Sequence, residues 1–231
     1  MVQLFTGHMT ERDATSKRDA TRTRWRIGLA IGLLLLPGLI LADRGLLPLI
    51  RLDTLPWLVW MMQRMTWLGY GPVDVGIPLA VGLVEWWRAR GRLPRREVLG
   101  GLAVAVAGIL DQVVKNLTCR ARPSAEGAGA FLSGFPCFPA PYEVASFPSG
   151  HATMAFALAT LLSLWYPRWT GGFLALAMVV GWSRVVLGSH FPSDVLAGAM
   201  LGCTVVLGLS RVWDLRLNQG KMENRHPTTG Q

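Results

Sequence analysis

Ser183-Arg184-Val185-Val186-Leu187-Gly188-Ser189-His190-Phe191-Pro192-Ser193-Asp194 places a histidine and a carboxylate one helical turn apart, with an arginine just upstream. The stretch joins two apolar runs, residues 171–187 and 193–213, so its polar residues fall in a short turn between two segments that read as membrane-crossing helices. Phe191-Pro192 suits the start of the second helix, where proline is tolerated in the first turn. Asp194 can then accept a hydrogen bond from one nitrogen of His190, which fixes the tautomer and leaves the other nitrogen as a positioned nucleophile. Taken alone, the same residues more readily describe a helix-capping histidine beside an N-terminal carboxylate that favours the helix dipole.

The rest of the chain has the same character. Of its 231 residues, 51% are hydrophobic and only 16% charged, and ten are tryptophan. A soluble domain carries about a quarter charged residues, so this chain is depleted in them. Four further apolar segments precede the two already named: residues 27–50, interrupted by Asp43 and Arg44; 73–87, interrupted by Asp74 and Pro78; 98–116; and 151–166. Several are shorter than the roughly 20 residues a hydrocarbon core requires, and end tryptophans and arginines could extend them by snorkelling. The segment Leu55 to Leu68, with Trp57, Trp60 and Trp67, reads as an amphipathic helix lying at the interface. The expected fold is all-α: a six-transmembrane-helix bundle with an interfacial helix and a long extracytoplasmic loop. One transmembrane domain over residues 24–217 would be flanked by disordered cytoplasmic tails at 1–23 and 218–231.

The net charge of +9 raises nucleic-acid binding as a function, but the basic residues sit at the ends of apolar segments and form no compact face with interleaved aromatics. The positive-inside rule accounts for them more simply. Arg12, Lys17, Arg18, Arg22, Arg24 and Arg26 precede the first span; Arg88, Arg90, Arg92, Arg95 and Arg96 lie between the second and third; Arg211, Arg216, Lys221 and Arg225 follow the sixth. With six spans all three groups fall on one side, the cytoplasm, and both termini lie there. The loop from Asn116 to Phe147 and the turn from Gly188 to Pro192 then open on the opposite face. An arginine-rich start followed by leucines also resembles a cleaved signal peptide, but the charged stretch is long for one and no small-x-small cleavage site follows.

Two more clusters lie on that outer face. Pro148-Ser149-Gly150-His151 opens the fourth span, where free backbone N–H groups and a serine hydroxyl make an anion cradle. His151 could donate a proton to a leaving oxygen; an ordinary N-cap serine is the plainer alternative. Lys115-x6-Arg122-Pro123 closes the third span. Lys115, Arg122 and Arg184 can neutralise the oxygens of a phosphate and of its more highly charged transition state. Asp111, one turn before Lys115, can hold the ammonium as an i,i+4 pair. Each cation alone could be a snorkelling lysine or a solvated arginine. Their falling together on one face points to phosphoryl chemistry.

The three clusters, Lys-x6-Arg-Pro, Pro-Ser-Gly-His and Ser-Arg-x5-His-x3-Asp, resemble the three-part signature of the type 2 phosphatidic acid phosphatase (PAP2) superfamily, with every position filled between Lys115 and Asp194. The resemblance implies a metal-independent integral-membrane lipid phosphatase with no cofactor. His190 would attack phosphorus and form a phosphohistidine, Asp194 would orient it, and His151 would protonate the departing lipid oxygen. Lys115, Arg122, Ser149, Gly150 and Arg184 would hold the phosphate, with Pro123, Pro148 and Ser183 in support. Substrates of the family include phosphatidic acid, phosphatidylglycerol phosphate, undecaprenyl pyrophosphate and lipid A phosphates.

A compact chain of this kind fits a bacterial inner membrane, with the site on the periplasmic or outer face. Its partners would be the lipid substrate and the bilayer, with no nucleic acid and no obligate protein partner. Alternatives are a lipid phosphotransferase using the same intermediate and a non-catalytic membrane lipid-binding protein. A vanadium-dependent haloperoxidase shares the anion pocket, but those enzymes are soluble and six apolar spans argue against one. No cysteine or histidine spacing resembles a zinc site, and the acidic residues are too few for a magnesium cage.

Cys119 and Cys137 both fall in the outer loop, while Cys203 lies within the sixth span. In an oxidising compartment a Cys119–Cys137 bridge is plausible, and two unpaired thiols are the alternative. Asn116-Leu117-Thr118 matches a glycosylation sequon but abuts Lys115 at the membrane surface, so it reads as a chance match.

Overall fold

A computed structural model describes residues 11–50, 55–88, 95–131 and 137–223, with side chains for all of these except 11–22 and 214–223. The described residues are almost entirely helical. In chain order they form α1 (Glu11–Ile50), α2 (Pro56–Met65), α3 (Gly71–Arg88), α4 (Arg95–Thr118), α5 (Gly150–Trp165), α6 (Thr170–Val186) and α7 (Pro192–Glu223), with a 3-10 turn at Thr66–Gly69 between α2 and α3.

Residues 23–50 of α1, together with α4, residues 167–186 and residues 192–213, are long and apolar enough to cross a membrane. The unit Pro56–Gly69 and the helix Gly71–Arg88 pass that test only as a pair, bent by 51° at Tyr70. α5 is apolar throughout but only 16 residues long. α2 exposes Trp57 and Trp60 and buries Met62. The bend is legible in physical terms: Gly69 and Gly71 flank it, and a Cβ at Gly69 would sit 2.7 Å from the carbonyl oxygen of His151. Only a residue without a side chain lets the corner of the α2–α3 unit approach the start of α5 that closely.

The helical ends run further than composition alone indicates. α1 begins at Glu11 and α7 continues to Glu223, so residues 11–23 and 218–223, which fall within the stretches expected as disordered tail, are helical. Residues 11–26 contain no proline or glycine, and five of the sixteen are arginine, a good helix former. Extending a helix already formed over the apolar segment costs far less than nucleating one, which favours the extension. Residues 1–10 and 224–231, and Arg90 and Arg92 in the loop after α3, lie outside the described residues.

The bundle exposes apolar side chains on its outside and buries polar ones alongside an apolar core. Leu34, Leu41, Leu49 and Trp87 are more than three-quarters exposed, while Asp43, Asp74, Ser149, Ser183 and Asp194 are wholly buried. Exposed apolar faces of this extent require an apolar medium, and buried ionisable side chains inside spans are costly unless they serve a purpose. α5 packs centrally, against α4, α6 and α7. Its contact with α7 is backbone to backbone: a Cβ at Gly198 would lie 2.5 Å from the Ser149 carbonyl oxygen. The C-terminal ends of α1, α4 and α6 meet the N-terminal ends of α5 and α7 at one end of the bundle. The opposite end carries Arg96, whose guanidinium sits 4.9 Å from the Trp165 ring.

Candidate active site

All three clusters gather at that first end. The turn after α6 is closed by Ser189 N–H and His190 N–H, which both donate to the Arg184 carbonyl, at 3.0 and 3.2 Å. This folds His190 back over α6 and aims its ring into the bundle, where it is 2% exposed. Nδ1 of His190 lies 2.8 Å from the Ser146 carbonyl oxygen. A carbonyl only accepts, so Nδ1 carries the proton and Nε2 keeps its lone pair. Nε2 faces Nη1 of Arg122 at 3.3 Å, a donor that matches this tautomer.

Asp194 stands 3.7 Å from Nδ1, close enough for charge interaction but too far for a hydrogen bond. The partner expected from the i,i+4 spacing therefore acts on the imidazole through its charge, while Ser146 holds the Nδ1 proton. Asp194 is itself fixed from several sides: Oδ2 accepts from the Ser146 hydroxyl at 2.6 Å and from the Phe191 N–H at 2.8 Å, and Oδ1 accepts from Arg120 at 2.5 Å. Burial drives the His190 pKa down from 6.5 to about 4, against the opposing pull of Asp194. Burial thus favours the neutral imidazole.

Arg122 is positioned by carbonyls. Its side chain donates to Tyr142 O at 2.7 Å, Ser189 O at 2.9 Å and Ala145 O at 3.1 Å, and lies 3.9 Å from the Tyr142 ring centroid. Pro123 follows in a turn closed by Ala125 N–H to Arg122 O at 3.1 Å. Lys115 pairs with Asp111, whose other oxygen accepts from the Thr153 hydroxyl at 2.9 Å on α5. A Cβ at Gly150 would fall 3.2 Å from the Lys115 ammonium, so the start of α5 lies directly against it.

Ser149 N–H donates to the Asp194 carbonyl at 2.9 Å, which ties the Pro148-Ser149-Gly150-His151 turn to α7. The Ser149 hydroxyl is buried with no partner, and so is Nε of Arg184, whose Nη1 donates to Thr66 at 2.8 Å. Unpaired buried donors are costly, and here two of them belong to the residues assigned to phosphate. His151 is half-buried, near enough to Arg184, His190, Lys115 and Arg122 for their charges to bear on its imidazole. Pro148 is buried beside it. The Ser183 hydroxyl donates to the Val180 carbonyl one turn back in its own helix, at 2.6 Å.

The loop before this turn is bridged by a Cys119–Cys137 disulfide, with Cα atoms 6.0 Å apart. Asn116 is buried, and its side-chain oxygen accepts from Ala140 N–H at 3.0 Å, so the sequon asparagine is occupied structurally. Among the described residues no group of three or more His, Cys, Asp or Glu is arranged to hold a metal ion.

Sequence reasoning missed Ser146, Thr153, Arg120 and Asp43. Ser146 and Thr153 carry no pattern that would single them out. Arg120 lies two residues before Arg122 and reads as a loop cation. Asp43 appears only as a break in an apolar run, although an ionisable residue within a span is itself a signal.

A family model described as the PAP2 superfamily matches residues 97–217. Over 160 residues the chain is 32% identical to YbjG of Escherichia coli (strain K12), named as a candidate undecaprenyl-diphosphatase, covering 67% of this chain and 74% of that protein. It is 38% identical to a lipid A 1-phosphatase of Rhizobium etli over 99 residues, 43% of this chain and less than half (42%) of that protein. Among solved structures it is similar to Aquifex aeolicus LpxE, at 26% identity and a TM-score of 0.56, covering 73% of this chain and 94% of that one.

Proposed function

Since the chain belongs to the PAP2 superfamily, we propose that it is an integral-membrane phosphatase that hydrolyses lipid phosphates or diphosphates through a phosphohistidine at His190. One observation carries the mechanism. Nδ1 of His190 lies 2.8 Å from the Ser146 carbonyl oxygen, which can only accept, and this leaves the Nε2 lone pair, 3.3 Å from Arg122 Nη1, for attack. Nε2 attacks phosphorus as the bond to the lipid oxygen breaks, and His151 gives that oxygen its proton. Arg122, Arg184, Lys115 and the Ser149 hydroxyl take the phosphoryl oxygens, with charge that grows toward the transition state. Water, deprotonated by His151, then cleaves the N–P bond and frees His190. A phosphotransferase would run the first half-reaction and pass the group to another acceptor.

The apolar cavity of about 470 Å³ lined by Met62, Phe156, Met178, Trp182, Val185 and Pro192 would take the hydrocarbon chain. It lies beside the turn that carries His190, between Val185 and Pro192. This supports a substrate whose phosphate sits at the end of a long apolar tail.

Counting the bent α2–α3 unit as one span and α5 as another gives six spans, with both termini in the cytoplasm and the site on the outer face of a bacterial inner membrane. Arg88, Arg95, Arg96 and Arg168, at the end away from the site, support that orientation. A disulfide on the site's own side supports it too, because such bonds persist in oxidising compartments. The test is phosphate release by purified protein across undecaprenyl diphosphate, phosphatidylglycerol phosphate, phosphatidic acid and lipid A, with chelator present and no acceptor. Release from none of them would remove the hydrolase reading.

A further inference from the structure

Asp194 does not stand alone beneath His190. Arg120, 1% exposed, lies between two carboxylates from opposite ends of the chain. Its Nη1 donates to Asp194 Oδ1 at 2.5 Å and to Ser193 Oγ at 2.7 Å, and its Nη2 donates to Asp43 Oδ2 at 2.7 Å. Asp43, wholly buried on α1, also accepts from Ser193 N–H at 3.1 Å and from the Ser193 hydroxyl. The rings of Phe191 and Phe131 approach the guanidinium at 4.6 and 5.0 Å and shut water away from it. Neither Asp43 nor Arg120 fills a specified position of the three signature clusters, and Asp43 lies outside the matched residues 97–217.

We propose that Asp43 and Arg120 are positioning residues for the nucleophile, acting through Asp194. The inference rests on the reading of His190 as nucleophile. Arg120 pins Oδ1 of Asp194, which leaves Oδ2 turned toward the Ser146 hydroxyl and the edge of His190. A guanidinium bound to Asp194 alone would cancel the negative charge the imidazole needs when it becomes cationic as phosphohistidine. Asp43 restores it. Two carboxylates sharing one guanidinium keep one net negative charge below the ring, and a buried ion pair is worth most when every member is satisfied.

The charged and titratable groups around His190 are Asp194 on α7, Arg122 after α4, Arg184 on α6 and His151 at the start of α5, with Arg120 and Asp43 behind Asp194. Replacing Asp43 changes only the rear of this set.

The experiment compares Asp43→Asn, Arg120→Gln and the double variant with wild type in detergent, reading kcat, KM, the pH profile and phosphate trapped on the protein in acid-labile form. Asp43→Asn keeps the shape and removes the charge. It should lower kcat about 10-fold at unchanged KM and move the acid limb to lower pH, because the imidazolium loses a counter-charge. Arg120→Gln leaves two carboxylates facing each other and should lose more. The double variant returns the net charge below His190 to a single negative and should regain at least about 10-fold over Arg120→Gln. If either single variant fails to fold, the charge-balanced double variant still gives the kcat and pH readout.

Normal kcat and an unmoved acid limb in Asp43→Asn, or strictly additive losses in the double variant, would overturn the inference and leave only a structural tie to α1. Loss of the trapped phosphate in His190→Ala with normal Asp43→Asn behaviour would sink this inference alone. Retained activity in His190→Ala would sink the nucleophile reading itself.

Discussion

The imidazole of His190 rests on the backbone of Ser146: Nδ1 is 2.8 Å from its carbonyl oxygen, while the Ser146 hydroxyl reaches Asp194 Oδ2 at 2.6 Å. One residue from the loop before α5 thus fixes the tautomer with its main chain and the carboxylate with its side chain.

Ser146→Ala keeps the carbonyl and removes only the hydroxyl. A hydrogen bond to a charged group contributes about 1.5–3 kcal/mol, so kcat should fall about 10- to 100-fold with KM little changed. Asp194→Asn removes the charge as well and should cost more. Steady-state kinetics of the two variants side by side checks the order; a Ser146→Ala loss equal to or above that of Asp194→Asn would contradict it.

The acid limb of kcat/KM should lie near pH 4, well below the ordinary histidine value of about 6.5, because burial favours the neutral ring of His190. The same shift bears on stability. Between about 6.5 and 4 the unfolded chain binds a proton that the folded chain resists, so His190 lowers stability progressively as the pH falls through that window. Rate profiles and melting curves from pH 3.5 to 8 read both. An acid limb at 6.5 would mean that His190 is far less buried than its 2% exposure indicates.

Reduction of the Cys119–Cys137 bridge should weaken both fold and activity. The bridge closes a loop with a sequence separation of 18 residues, and closing a loop of that size stabilises by about 3 kcal/mol in the chain-entropy account. It also anchors Cys119 directly beside Arg120 and three residues before Arg122. Mass spectrometry with and without reductant, paired with melting curves, tests it; free thiols at both positions would also undermine the outward orientation.

Val179→Trp, in the lining of the apolar cavity, should raise KM for long-chain lipid phosphates and leave turnover of a short water-soluble phosphate ester unchanged. Equal effects on both substrates would remove that cavity as the site of the tail.

The features open to sequence reading were those written in local spacing. The apolar runs announced the helices, and Lys115, Arg122, Ser149, His151, Arg184, His190 and Asp194 fall at fixed intervals within a span of 80 residues. What stayed hidden depends on tertiary placement. Asp43 and Arg120 are 77 positions apart and meet only because α1 packs on α7. The i,i+4 spacing correctly brings Asp194 near His190, but spacing alone does not choose between a carboxylate at 3.7 Å and a loop carbonyl at 2.8 Å. The 51° corner between the two parts of the α2–α3 unit follows from the close approach of Gly69 to His151, which hydropathy does not report.

The phosphohistidine at His190 is tested by rapid quenching of the purified protein with a ³²P-labelled lipid phosphate, followed by alkaline denaturation and peptide mapping. Acid-labile, alkali-stable phosphate should appear on the peptide containing His190 and be absent in His190→Ala. Turnover by His190→Ala, or label on a different residue, would contradict it.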